Sequence, residues 1–151
     1  TTALHALLAQ DPRHRVPEGW ELLRPAPPPD PETRETDVRI ALADAELRTP
    51  QVVVSGLVAI HEYSGRMPKE CLSAMSLAFR SEEFVARYDV PTYFEWLQAA
   101  DMTPAYEVHR RVLQVLQRRS PRRRWVLKPP VHLQSLPVLP AVSPDRGLFL
   151  F

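Results

Sequence analysis

A single cysteine, Cys71, excludes an intrachain disulfide and leaves no cluster of thiolates for a metal. Alone, it reads as a small buried hydrophobe rather than a nucleophile. Long apolar runs are also missing. No stretch approaches the roughly 18 to 20 residues of a membrane-spanning helix, and no basic-then-apolar leader opens the chain. The expectation is a cytoplasmic protein without a membrane span. Excess charge of one sign is absent too: the net charge is +1, which gives no global field for nucleic acid. The one basic run, Arg118-Arg119 and Arg122-Arg123-Arg124, reads as a solvated helix end and turn. His61-Glu62 and His109 lack a second histidine four residues away, so no metal is expected. His5 and His14 show no pattern that assigns them a role.

What is present is ordinary globular material. With 151 residues, 44% apolar and 25% charged, the chain is long enough for one cored domain. It starts on Thr1-Thr2 in front of an apolar pattern and stops on Leu148-Phe149-Leu150-Phe151, a run that would be buried only as a strand of a larger sheet. Truncation at both ends is the expectation.

Leu4, Leu7 and Leu8 have the spacing of a one-sided helix capped by a threonine and ended by Asp11-Pro12. Eight of the 17 prolines fall between Pro12 and Pro50, so residues 12 to 35 read as a long loop. Helical pattern returns from Asp37 to Leu47, with Pro50 as its interruption, and Val52 to Ile60 stays ambiguous between helix and strand. Pro68, Pro91 and Pro104 each suit a first helical turn, with Thr103 as an N-cap. Leu72, Met75 and Phe79 mark one core stripe; Val108, Val112, Val115 and Leu116 mark another. Arg124 to Lys128 reads as a short buried strand stopped by Pro129-Pro130. This strand is expected to pair in parallel with residues 148–151 across the crossover that separates them.

Two places carry chemistry. Threonines before a helix can cap it, or can close a phosphate loop in which helix N–H groups and hydroxyls bind an anion. Lys128 sits at the C-terminal end of a predicted strand with His132 four residues later, where open α/β sheets place ligands. A lysine there offers a cation to an anionic leaving group, and a histidine can take a proton from an attacking hydroxyl. Glu62 and Glu70 read no differently from surface carboxylates, although either could orient an acceptor.

Several segments, in this order, resemble bacterial sulfotransferases dependent on 3′-phosphoadenosine-5′-phosphosulfate (PAPS). They are Thr-Thr-x-Leu-x-x-Leu-Leu-Ala-Gln-Asp-Pro at 1 to 12, Phe79-Arg80-Ser81 with Tyr88-Asp89-Val90-Pro91, Thr103-Pro104-Ala105-Tyr106 through His109 to Gln114, and Arg124-Trp125-Val126-Leu127-Lys128 to His132-Leu133. The resemblance covers almost the whole chain. It implies an α/β fold with a P-loop-like parallel sheet and a large helical insertion. By the same resemblance, Thr1 and Thr2 match the threonines closing the loop around the 5′-phosphosulfate. Lys128 and His132 match the lysine and histidine of the family's Lys-Ser-Pro-x-His segment, with Pro129 where the family has serine. The family's 3′-phosphate contacts would follow Phe151.

The organisation expected is a phosphate-loop helix at 1–11, a proline-rich loop at 12–35, a helical acceptor-side region at 36–119 and a strand–crossover–strand core at 120–151. The expected function is transfer of a sulfuryl group from PAPS to a hydroxyl or amine of a small-molecule, glycan or lipid acceptor. Lys128 and His132 would be catalytic, Thr1, Thr2 and Lys128 would bind the co-substrate, and no metal or nucleic acid would take part. The isolated chain is expected to be inactive. The alternatives are a non-catalytic fragment or helical interaction module, and a P-loop nucleotide kinase, which needs a Gly-Lys pair before its threonine and an acidic magnesium ligand. The acceptor's identity and the oligomeric state are not encoded in any pattern found.

Overall fold

A computed structural model of the chain describes residues 2–54, 56–60, 62–133, 135–138 and 142. Its elements are helices α1 (Thr2–Leu8), α2 (Gly19–Leu23), α3 (Val38–Val53), α4 (Leu57–Ile60), α5 (Leu72–Ser76), α6 (Pro91–Ala99) and α7 (Thr103–Gln117), strands β1 (His14–Arg15) and β2 (Arg124–Trp125), and 3-10 turns at Arg34–Thr36 and Pro130–His132. The fold is of mixed helix and parallel-strand type, as the α/β pattern predicts. The chain divides into two compact units, Thr1–Lys69 with Gln114–Leu127 and Glu70–Leu113 with Lys128–Phe151.

In the first unit β1 and β2 pair in parallel, with His14 opposite Arg124 and Arg15 opposite Trp125. The strand read over 124–128 is confined to Arg124–Trp125, with Arg124 exposed and Trp125 half-buried where a buried strand was expected, and the partner described for it is β1. The expected partner at 148–151 lies outside the described residues. The proline-rich segment is more structured than its composition suggests. It holds β1 and also α2, whose first turn is closed by a reciprocal pair of bonds between Glu18 and Glu21. That capping box satisfies amide donors that have no helical partner. Trp20 is wholly buried against Ile40, Ala43 and Leu47 of α3. Gly19 is required by close approach, because a Cβ there would lie 2.6 Å from the Ser64 carbonyl oxygen.

Asp37 caps α3 by accepting from the Arg39 amide at 2.9 Å, a contact that typically stabilises by about 1 kcal/mol. Pro50 does not end this helix, which continues to Val53. The ring removes the amide that would bond the Glu46 carbonyl, yet helical bonding resumes beyond it, where the Val54 amide donates to the Pro50 carbonyl at 2.9 Å. The ambiguous stretch from Val52 resolves into the end of α3 and the short α4. On α1 the buried residue is His5, whose Nε2 lies 3.1 Å from the Val126 carbonyl oxygen, while Leu7 is exposed. The leucine stripe is thus displaced by a polar contact to the residue after β2. His14 also has a local partner, with Nδ1 3.2 Å from the Leu8 carbonyl oxygen.

In the second unit Met75, Ala105, Tyr106, Val131 and Val142 form the core. Pro91 starts α6 as read from the sequence. Pro68 does not start a helix: it forms a bridge with Glu18 in the first unit, and α5 begins only at Leu72. Thr103 is the first residue of α7 rather than its cap, and its amide is taken by Asp101 Oδ1 at 2.9 Å. Phe79 leaves the predicted stripe because α5 ends at Ser76; it adopts φ 53° and is exposed. Val112 and Leu116, by contrast, are buried as the period of α7 requires.

Candidate active site

Lys128 and His132 both belong to the second unit, on either side of a tight turn. Pro130 opens that turn, where a missing amide costs nothing. The His132 amide donates to the Pro129 carbonyl at 3.2 Å, and the Leu133 amide donates to that of Pro130 at 3.1 Å. Pro129 stands where the resembled family has serine, and it is buried at the start of this turn. The Cys71 amide donates to the Lys128 carbonyl at 2.9 Å, which ties the backbone of Lys128 to the start of α5. Cys71 itself is an inert part of the packing, because full burial pushes its thiol up to about 12.

The side chains around the turn are partnered from elsewhere in the same unit. Lys128 Nζ lies 2.6 Å from Glu70 Oε1, with side-chain exposures of 15% and 26%. Partial burial strengthens such a pair over a fully solvated one, yet leaves the lysine accessible. His132 Nδ1 lies 2.8 Å from the Tyr106 hydroxyl, and the two rings are 5.5 Å apart. A third ring, His109, is 6.1 Å from His132 and 6.4 Å from Tyr106. Burial alone pushes His109 down to about 4, so it is neutral near pH 7, and its Nε2 has no hydrogen-bond partner among the described residues.

One turn therefore carries a carboxylate-paired cation and a phenol-anchored imidazole, which is the equipment for stabilising a leaving anion and accepting a proton. Val131, within the turn, also lines a cavity of about 230 Å³ walled by Leu72, Met75, Leu97 and Met102, with the carboxylates of Glu82 and Asp101 on its lining. Among the described residues no group of three or more His, Cys, Asp or Glu side chains could hold a metal, and no helix is long and apolar enough to cross a membrane.

No protein-family model matches the chain, and no curated protein matches it. Solved structures do. Sulfotransferase STF1 from Mycobacterium tuberculosis H37Rv aligns with 95% of this chain at 35% identity and a TM-score of 0.77. Sulfotransferase STF9 from Mycobacterium avium aligns with 96% at 32% identity and a TM-score of 0.78. The chain belongs to the bacterial sulfotransferase family. It spans 40% and 38% of the lengths of those two proteins.

Of the site residues read from this sulfotransferase-family sequence, Lys128 and His132 lie together on one turn. Thr2 is the first residue of α1 in the other unit, and Thr1 lies outside the described residues. Glu70 was read only as a carboxylate that could orient an acceptor, and Tyr106 was assigned no role; neither contact, to Lys128 or to His132, was foreseen. Each reaches its partner across a long separation in sequence, and no local spacing could signal such contacts. Tyr106 did stand within a segment that resembles the sulfotransferase family, but nothing in that segment says what its hydroxyl meets.

Proposed function

We propose that this chain carries the lysine and histidine of a sulfotransferase that moves a sulfuryl group from PAPS to a hydroxyl or amine of a small organic acceptor. The observation that carries this reading is the common turn of Lys128 and His132, each held by a partner side chain, in a chain similar to sulfotransferases.

The residues suit an anionic co-substrate. Lys128 is a cation paired with the Glu70 carboxylate, and a phosphate can take over that contact. When bound, PAPS supplies the activated sulfuryl group. Lys128 stabilises negative charge on the oxygen that departs, as a preorganised donor does in a partly desolvated site. His132 accepts the proton of the attacking hydroxyl, and Thr1 and Thr2 add hydroxyl and amide donors toward phosphate. The cavity beside Val131 receives the acceptor's hydrocarbon part against Leu72, Met75, Leu97 and Met102.

The two catalytic roles separate kinetically in a protein that carries this chain at the length of its relatives. Lys128→Ala lowers kcat for every acceptor by about 10²-fold or more. His132→Ala lowers it by roughly 10²- to 10⁴-fold for an alcohol and much less for a phenol already near ionisation. Transfer of radiolabelled sulfate from PAPS to a matched alcohol and phenol measures both. Small, equal losses for both variants and both acceptors would remove the two residues from the chemistry.

A further inference from the structure

Phe79 is held in a backbone conformation that its side chain disfavours, and its ring is left in the open. The residue closes the turn that follows α5, with its amide donating to the Ser76 carbonyl at 2.9 Å, and takes φ 53°. Glycine suits that backbone, whereas a bulky side chain is strained there. Burial does not offset the strain, because Phe79 is 72% exposed. Such strain persists only where the surroundings hold it, and it clusters at functional positions. Here the Tyr93 hydroxyl holds it: it accepts from the Ser81 amide at 3.0 Å and lies 3.2 Å from the Phe79 carbonyl oxygen.

The ring belongs to a row within the second unit. Phe79 stacks on Phe84 at 5.4 Å with an interplanar angle of 12°, Phe84 meets Tyr93 edge-on at 5.7 Å, and Tyr93 tilts against Trp96 at 5.6 Å. Trp96 is 46% exposed, and the Arg80 guanidinium lies 5.5 Å from its ring. The same two segments line the cavity beside Val131, through Ser81 and Glu82 between Phe79 and Phe84 and through Leu97 and Gln98 directly after Trp96.

We propose that this row recognises the ring of an aryl acceptor and that Phe79 is its specificity-determining residue. The proposal rests on the acceptor cavity assigned above. Exposed aromatic faces favour a flat π-system, which stacks where a puckered saturated ring cannot. A guanidinium beside the row favours a ring made electron-rich by a hydroxyl.

NMR titration of the labelled chain with 2-naphthol and with its saturated counterpart, decahydro-2-naphthol, tests this without co-substrate or turnover. 2-Naphthol is expected to shift the Trp96 indole N–H and the Phe79 ring signals, and to bind at least about fivefold tighter than the saturated alcohol. Phe79→Gly should weaken 2-naphthol binding roughly five- to tenfold. In the same variant the folding equilibrium constant, from urea unfolding, should fall by no more than about threefold or rise, since glycine relieves the strain. Trp96→Leu should weaken binding similarly at a helical position without strain. Equal affinity for the two alcohols, or undiminished binding in both variants, overturns the proposal. A folding constant that falls more than about tenfold in Phe79→Gly would make the ring a packing element and strike Phe79 from the surface. Signals that move with the chain's own concentration and not with 2-naphthol would assign the row to a second copy instead. The proposal and the reading beneath it fail separately. Binding of 2-naphthol at the row without its sulfation, in a protein carrying this chain at the length of its relatives, would sink sulfuryl transfer to that acceptor and leave the surface standing. Sulfation of alkyl alcohols with no binding of 2-naphthol would do the reverse.

Discussion

Two cation–carboxylate pairs, one in each unit, are built for opposite ends. In the first unit Arg15 Nη2 meets Glu21 Oε1 at 2.9 Å with side-chain exposures of only 7% and 0%. Arg15 also donates to the Leu116 carbonyl at 2.8 Å and lies over the Trp125 ring at 4.6 Å. Glu21 in addition accepts from the Glu18 amide and from Arg34. Every side of that pair is occupied, which is the condition under which a buried ion pair is tolerated. In the second unit Lys128 and Glu70 keep contact with solvent, and a lysine is a compact point charge rather than a rigid fork. The first pair is enclosed by the fold; the second leaves its lysine in contact with solvent. An arginine inside a saturated network is therefore poor evidence for a binding site, whereas a lysine that keeps contact with solvent is better evidence.

The largest effect expected from this contrast is on stability. Arg15→Met leaves Glu21 buried beside Arg34 alone and should cost about 3 to 5 kcal/mol, read by urea unfolding with hydrogen exchange in the first unit. Arg15→Met combined with Glu21→Leu should recover part of that loss, since no buried charge is then stranded. A loss below about 1 kcal/mol for the single variant would mean that the pair behaves as a surface bridge.

The second unit buries an uncharged titratable group, and that gives it a pH dependence. The folded-state value of His109 lies below the unfolded one, so between the two the unfolded chain binds more protons and stability falls as the pH drops. The contribution is complete above about pH 6.5 and disappears progressively toward about pH 4, amounting to about 3 kcal/mol. His109→Phe should flatten the profile over that window in unfolding experiments followed by exchange in the second unit. An unchanged slope would place the titration elsewhere.

The smallest effect tests the exchangeable pair. Glu70→Gln should alter stability by no more than about 1 kcal/mol, because Lys128 stays partly solvated. In a protein carrying this chain at the length of its relatives, the same variant should tighten 3′,5′-ADP binding about fivefold, or roughly 1 kcal/mol, since Lys128 no longer leaves a carboxylate to meet a phosphate. Weaker binding, measured by calorimetry, would show that Glu70 holds Lys128 in its working position instead of competing for it.

How much of this was readable beforehand depends on the range of the interaction. The start of α3 near Asp37, Pro91 at the start of α6 and the buried stripe of α7 are local, and each was legible from spacing. The spacing of Lys128 and His132 was legible for the same reason. The proline-rich segment misled because α2 owes its place to Trp20 packed on α3 and to the Glu18–Glu21 bonds, neither of which changes a composition. β1 was invisible because two residues carry no period.

The sequence by itself determined the helices with a buried face, a short strand beginning at Arg124, and the lysine and histidine set four residues apart around a proline turn. Only the tertiary structure decided what those two side chains touch. Glu70 reaches Lys128 and Tyr106 reaches His132 through packing of segments remote in the chain. A hydrogen bond or an ion pair is chosen by distance in space, and residue spacing carries no record of that distance beyond a few helical turns.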